Sequence, residues 1–151
     1  MRVIQAVAVI LTALALVPGG AHLAEMSTKL TLDREQYFVV QQIYRGWALF
    51  GAVLFAGFFV NLVMAVLLWR RRQRFILPAI ACLAIAASLI TFFILVYPTN
   101  VATSNWTKIP VNWEELRTRW EFGHMAGTAL IFVALCAVAF TPTDCKRITD
   151  D

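Results

Sequence analysis

Four apolar runs, each about as long as a bilayer crossing, constrain this chain more than any other feature. They are Val3–Leu23, Gly46–Trp69, Phe75–Tyr97 and Phe122–Phe140. A hydrocarbon core of ~30 Å needs about 20 mostly apolar residues in a helix. None of the runs contains Asp, Glu, Lys or Arg. Few polar side chains interrupt them, chiefly Gln5, Thr12, His22, Asn61, Ser88, Thr91 and His124. Strands are excluded, because the runs are far too long for strands and do not alternate. In lipid a helix satisfies its own backbone, which points the same way. The chain is 60% hydrophobic and 15% charged, where soluble proteins hold about 45–50% and about 25%. That balance excludes disorder, collagen-like repeats and a disulfide scaffold.

The expected fold is all-α: a four-helix transmembrane bundle of up-down topology, forming a single membrane domain over residues 1–151. The helices are expected at about 3–25, 36–69, 75–97 and 113–140, with a C-terminal tail over 141–151. Basic residues set the orientation. The short link after the second run reads Arg70-Arg71-Arg72-Gln73-Arg74, a dense cytoplasmic signal. It places Arg2, Lys146 and Arg147 on the same side, so both termini are expected in the cytoplasm. Lys29, Arg34, Arg45, Lys108, Arg117 and Arg119 fall outside, balanced by Glu25, Asp33, Glu35, Glu114, Glu115 and Glu121. The net charge of +4 is therefore a topology signal that anionic lipid would reinforce. No interleaving of basic and aromatic residues suggests nucleic acid. The setting expected is a bacterial inner membrane.

The first run has a rival reading. Arg2, the apolar stretch and Gly19-Gly20-Ala21 resemble a secretory signal, whose cleavage would remove residues 1–21. Against this, the run is long for a signal, and His22-Leu23-Ala24-Glu25 reads as a helix end. Cys82 and Cys136 lie within apolar runs and Cys145 in the tail, so no extracytoplasmic disulfide is expected. Asn105-Trp106-Thr107 matches a glycosylation sequon, a short and common pattern.

With no charge in mid-membrane, a pump or ion-coupled transporter is disfavoured; an apolar ligand is not. Polar chemistry gathers at the outer ends. Pro18-Gly19-Gly20 is expected to kink the first helix. His22 and Glu25 lie at i and i+3, on one helix face. Asp33 caps the next helix, with Gln36 three residues on. Asn112 is expected to cap the fourth, with Glu115 completing a capping-box pattern. That helix, Trp113 to Phe140, would span ~42 Å and protrude outward. Trp113, Arg117, Trp120, Glu121 and His124 form one stripe along it. Glu121-x-x-His124 thus faces His22-x-x-Glu25 if the first and fourth helices are neighbours. Such pairs recur in carboxylate-bridged metal bundles, and imidazole with carboxylate suits zinc, iron or copper. The second and third runs supply no Glu, so a single ion at His22, Glu25, Glu121 and His124 is more plausible than two. Heme held by His22 and His124 is another option. So is no cofactor: Arg117, Glu121, Arg45 and Glu25 fit an interfacial ion-pair network that pins the helices, with His22 and His124 as hydrogen-bonded helix-end side chains. Gly51 and Gly57 permit close helix packing, within or between chains, so a homo-oligomer is open.

Several elements carry a family resemblance: His22-Leu23-x-Glu25-Met26 with Lys29-Leu30, Gln41-Gln42-x-Tyr44-Arg45-Gly46-Trp47, Asn105-Trp106, and Asn112-Trp113-x-x-Leu116-Arg117-x-x-Trp120-Glu121-x-Gly123-His124. Over about residues 10–140 the chain resembles the anthrone-oxygenase-like integral membrane family, long listed as a domain of unknown function. The resemblance implies the four-helix membrane fold. It also implies, through some fungal members, oxidation of anthrones to anthraquinones. On that reading His124 is base or ligand, Glu121 orients it, and Arg117 or Arg45 stabilises an enolate-like oxygen. Tyr44, Trp47, Trp113, Trp120 and Asn112 bind a hydrophobic aromatic or quinoid substrate. Two rivals stand beside this oxidoreductase: a non-catalytic membrane subunit docking a partner through its outer face, and an electron-transfer protein carrying heme or metal.

Overall fold

A computed structural model describes residues 1–70 and 72–142, with the backbone alone at 72 and 73. Arg71, Cys145, Lys146 and Arg147 lie outside the described residues, as does the tail beyond residue 142.

The described residues are helical, without strands. Helix α1 (Arg2–Lys29) is followed by a short α2 (Arg34–Val40), two 3-10 turns (Gln41–Tyr44 and Trp47–Leu49) and α3 (Phe50–Leu68). Then come α4 (Arg72–Thr91), a π-helical segment (Phe92–Val96), α5 (Tyr97–Ala102) and α6 (Trp113–Ala139). Four stretches are long and apolar enough to cross a membrane: Arg2–Lys29, Trp47–Leu68, Arg74–Ala102 and Trp113–Ala139. They support an integral membrane protein in contact with the lipid bilayer.

Helix α1 packs between α3 and α6, and α4 closes the ring on their other side. Gln5 Nε2 donates to the carbonyls of Val138 and Thr141 at 3.0 and 2.8 Å, while the far end of α1 brings His22 to His124. The two helices therefore run antiparallel. At the end near Gln5, Ala8, Met64, Leu68, Ala81, Ile85 and Ala134 form a buried apolar core. Beside it Asn61 is fully buried, its Nδ2 donating to the Gly57 carbonyl at 2.8 Å and to Thr12 Oγ1 at 3.3 Å.

Three local departures from expectation shape the opposite end, the one that the basic residues lead us to expect outside, hereafter the outer end. First, α1 runs on to Lys29 with Pro18 inside it, four residues past the expected end. Second, the single helix predicted over 36–69 is broken. Asp33 caps α2, accepting from the Gln36 amide at 2.9 Å, but Arg45 leaves the helical conformation and Gly46 turns left-handed at φ +89°. Only glycine takes that conformation cheaply. Third, α6 begins at Trp113 with Asn112 at its N-cap position, yet the Asn112 side chain makes no capping bond.

Close helix approach uses other glycines than expected. A Cβ on Gly19 would sit 2.5 Å from Thr128 Oγ1, and one on Gly123 would sit 2.8 Å from Val96 Cγ2. Gly57 meets Leu11 only at ordinary contact distance, and Gly51 meets nothing within 4 Å. Gly19 lies three residues from His22 and brings α1 against α6, the two imidazole-bearing helices, while Gly123, beside His124, lets α6 approach Leu95 and Val96 of the π segment.

Candidate functional site

The outer end holds a cavity of about 1110 Å³. It is lined by α1 and α6, by α3, by the end of α4 with the π segment, and by the loop after α5. His22 and His124 face each other there, ring centres 4.2 Å apart and tilted by 37°. Aromatic rings enclose the pair. Tyr44 and Trp120 stand edge-on to His22 at 4.4 and 4.8 Å, and Trp47 lies at 5.4 Å. Trp120 also meets His124 edge-on at 4.2 Å. The left-handed Gly46 explains this enclosure. It turns the chain between Tyr44 and Trp47, and both rings contact His22.

Neither imidazole makes a hydrogen bond to the protein among the described residues, and His22 Nδ1 is buried without a partner. Trp106 Nε1 is likewise buried and unpaired at the cavity wall. Gln41, also buried on that wall, makes no side-chain hydrogen bond of normal geometry. A buried polar group left unpaired costs about 1–3 kcal/mol, so this lining is incomplete as it stands.

Trp106 is held in place by a strained loop. Ser104, Asn105 and Trp106 are consecutive left-handed residues, with φ of 48°, 55° and 62°. Each such residue costs roughly 1–2 kcal/mol. The offset is a set of local bonds: the amides of Thr107 and Lys108 donate to the Thr103 carbonyl at 3.1 and 3.0 Å, and the Trp106 amide to Thr103 Oγ1 at 3.1 Å. Gln42 Nε2 then donates to the Trp106 carbonyl at 2.9 Å. The sequon-like Asn105-Trp106-Thr107 is thus a tight turn that seats an indole.

The carboxylates do not serve the histidines. Glu121 is 1% exposed, and its Oε1 accepts from the Tyr37 hydroxyl at 2.9 Å and pairs with Lys29 Nζ at 3.0 Å. Lys29, 2% exposed, also reaches Glu25 at 3.9 Å and sits over the Tyr44 and Trp120 rings at 4.8 and 4.9 Å. Glu25 accepts a short hydrogen bond from the Tyr44 hydroxyl. Burial, then the neighbouring carboxylate, pushes both phenols far above their ordinary pKa. Tyr37 and Tyr44 therefore stay protonated and act as donors. Glu121 was expected to orient His124; instead it is claimed by Lys29 and Tyr37. The signal for Lys29 was present in the sequence, since His22, Glu25 and Lys29 fall at i, i+3 and i+7 on one face.

The remaining expected site residues divide. Tyr44, Trp47 and Trp120 line the cavity, and Arg45 stands at its rim, donating to Gln42 Oε1 at 3.0 Å. Arg117 turns away from it. Its Nη1 donates to the Leu32 carbonyl at 2.9 Å, and its guanidinium stacks over Trp113 at 4.7 Å. Trp113 packs against Tyr37 and Phe38, and Asn112 is exposed; neither lines the cavity. Sequence reading missed Lys29, Tyr37, Gln41 and Trp106 as parts of this site, along with Asn100, whose Oδ1 accepts from Trp120 Nε1 at 2.9 Å.

The metal set expected at His22, Glu25, Glu121 and His124 is not assembled. Among the described residues no group of three or more His, Cys, Asp or Glu is placed to hold a metal ion. Heme between the histidines does not fit either. Imidazoles ligating one iron from opposite sides keep their ring centres about 6 Å apart, with metal–nitrogen bonds of ~2 Å. At 4.2 Å no porphyrin passes between them. What the arrangement offers is two free imidazoles, aromatic faces and unpaired donors around a large space. No protein-family model matches the chain, and no curated protein or solved structure does either.

Proposed function

We propose that this protein is a four-helix, up-down membrane bundle with both termini cytoplasmic, whose outer cavity binds a flat hydrophobic aromatic or quinoid molecule and oxidises it. The observation that carries the reading is the pair of hydrogen-bond-free imidazoles enclosed by Tyr44, Trp47 and Trp120. Aromatic walls suit a flat ring, and an imidazole without a partner is available as a proton acceptor. This agrees with the anthrone-oxygenase-like resemblance, which we retain as part of the proposal.

The chemistry balances with dioxygen as oxidant. An imidazole nitrogen of His124 or His22 takes a proton from the activated ring methylene. The resulting carbanion bonds to dioxygen and, on protonation, becomes a hydroperoxide. Loss of the second methylene proton, with cleavage of the O–O bond, releases water and leaves a carbonyl. During the first step negative charge moves onto the substrate's existing ring oxygen. Trp106 Nε1, unpaired at the wall, is suited to receive it, in place of Arg117. Donors aimed where charge develops are worth about 3 kcal/mol each.

The test is turnover of an anthrone by protein in lipid nanodiscs, following oxygen uptake and quinone absorbance. His124→Ala should lower the rate by about 10²–10⁴, the usual worth of a positioned acid or base, with the protein still folded. An unchanged rate would remove His124 from the mechanism. No turnover by the wild type on any quinoid or anthrone substrate would remove the enzymatic reading.

A further inference from the structure

We infer that the cavity opens sideways into the bilayer between α3 and α4, and that its ligand is a tailed amphiphile. The polar ring sits among His22, His124 and Trp106, and an apolar chain leaves between Phe55 and Phe93. This rests on the ring-binding reading above and specifies the class of ring it takes.

The seam between the two helices differs along its length. At the inner end Met64 and Leu68 of α3 share one buried cluster with Ala81 and Ile85 of α4. Trp69 and Phe75 close it with an edge-on contact at 4.7 Å. At the outer end both helices turn to the cavity instead. Phe55 of α3 and Phe93 of the π segment line it while remaining 45% and 54% exposed. A side chain that both lines a cavity and faces outward marks a mouth. Both residues lie inside candidate membrane spans, so this mouth faces lipid.

Among the described residues no ring contact crosses the outer seam. Phe50 contacts the Trp47 ring of its own strand of chain, while Phe92, Phe93 and Tyr97 stack only along theirs. Gly51, also on the cavity wall, has no atom within 4 Å of the place a Cβ would take. The π segment widens the helix where the cavity passes it, a feature that often accompanies function.

The occupant follows from the two ends. The buried lining presents His22 Nδ1 and Trp106 Nε1 without partners, which call for a polar ring. Arg45, Asn105 and Thr107 also line the cavity while exposed and form a polar rim at its loop end; the side mouth at Phe55 and Phe93 is apolar and calls for hydrocarbon. The volume, about 1110 Å³, exceeds the ~300–1,000 Å³ that serves compact ligands, leaving room for a chain beside the ring. A ligand of this kind partitions into the membrane and never has to cross water.

Photolabelling tests this. The probe is a 2-alkyl-1,4-naphthoquinone with a diazirine midway along its chain, presented to the full chain in phosphatidylcholine nanodiscs. Cross-linked peptides are mapped by mass spectrometry, with and without excess untailed naphthoquinone. The expected result is labelling concentrated at Phe55 and Phe93, suppressed at least tenfold by the untailed ring. Gly51→Trp, which fills the open space, should reduce the suppressible labelling at least tenfold; Phe55→Trp provides a second plug should the first not fold. Labels scattered over the lipid faces of all four helices, or unaffected by the untailed ring or the plugs, would overturn the portal. Saturable tryptophan quenching by untailed naphthoquinone separates the two ideas. If it persists while the chain labels scatter, the ring site stands and the portal falls. If it is absent too, both fall.

Discussion

The inner and outer halves of this bundle are built from the same four helices and put them to opposite uses. The inner half is apolar and closely packed, with Ala8, Ala81 and Ala134 letting Met64, Leu68 and Ile85 interlock. The outer half buries a lysine, a tyrosine, a glutamine and a carboxylate, and still leaves a large cavity. In lipid there is little hydrophobic drive between helices, so close packing has to hold them together. The inner half supplies that packing. The outer half can then keep space and unpaired polar atoms at an energetic cost that a uniform bundle would not carry.

The sharpest way to break the comparison is to uncouple the buried ion pair. Lys29→Ala leaves Glu121 buried with only Tyr37 for company. A loss of about 3–5 kcal/mol is expected, as for other broken buried pairs, read as a fall in thermal midpoint in nanodiscs. The double change Lys29→Met with Glu121→Leu should recover most of it. Full stability in the single variant would mean that the pair is not desolvated.

Met64→Ala tests the inner half. Roughly 2–4 kcal/mol should be lost from its cavity and missing contacts, with ring binding at the outer cavity unchanged. Altered binding would show that the halves are not independent. Gly19→Val is smaller and sharper. It drives a side chain into Thr128, costing about 1–3 kcal/mol through overpacking. It should also separate His22 from His124, so binding and stability fall together.

The last effect concerns pH. The Tyr37 and Tyr44 hydroxyls are held above their ordinary pKa by burial and by their carboxylate partners. Their contribution is fully present below the unfolded value near 10 and fades as pH rises beyond it. Wild-type stability should therefore decline above about pH 10. Tyr44→Phe should show a shallower decline, after losing about 1.5–3 kcal/mol at neutral pH for a hydrogen bond to a charged group. Parallel curves would show that Tyr44 is not the group involved.

How far the sequence could be read follows the same division. The four crossings were legible because apolar length and missing charge dictate helices in lipid. The approach of His22 to His124 was legible too, since each lies near the outer end of its run and the terminal helices of a bundle tend to be neighbours. The partner of Glu121 was not. Spacing along α1 puts Lys29 one turn from Glu25, but spacing along one helix does not show which cation from another helix reaches Glu121 first, and Lys29 does. The break at Gly46 left only a faint mark, one glycine between two aromatic residues that belong equally to an interfacial belt. The π segment and the left-handed turn at Ser104, Asn105 and Trp106 depend on tertiary contacts and left no periodic trace. Arg117 illustrates the limit: its stripe position was read correctly, but its stacking on Trp113 and bond to Leu32 turn it away from the cavity.

The central claim is that the two imidazoles form the ring-binding end of the outer cavity. The direct measurement is a titration of untailed 1,4-naphthoquinone against the protein in nanodiscs, following tryptophan fluorescence. The account predicts saturable, single-site quenching that His22→Ala and His124→Ala each weaken at least tenfold, ~1.4 kcal/mol or more, while Met64→Ala leaves it unchanged. Quenching that never saturates, or that is the same in all four proteins, would contradict it.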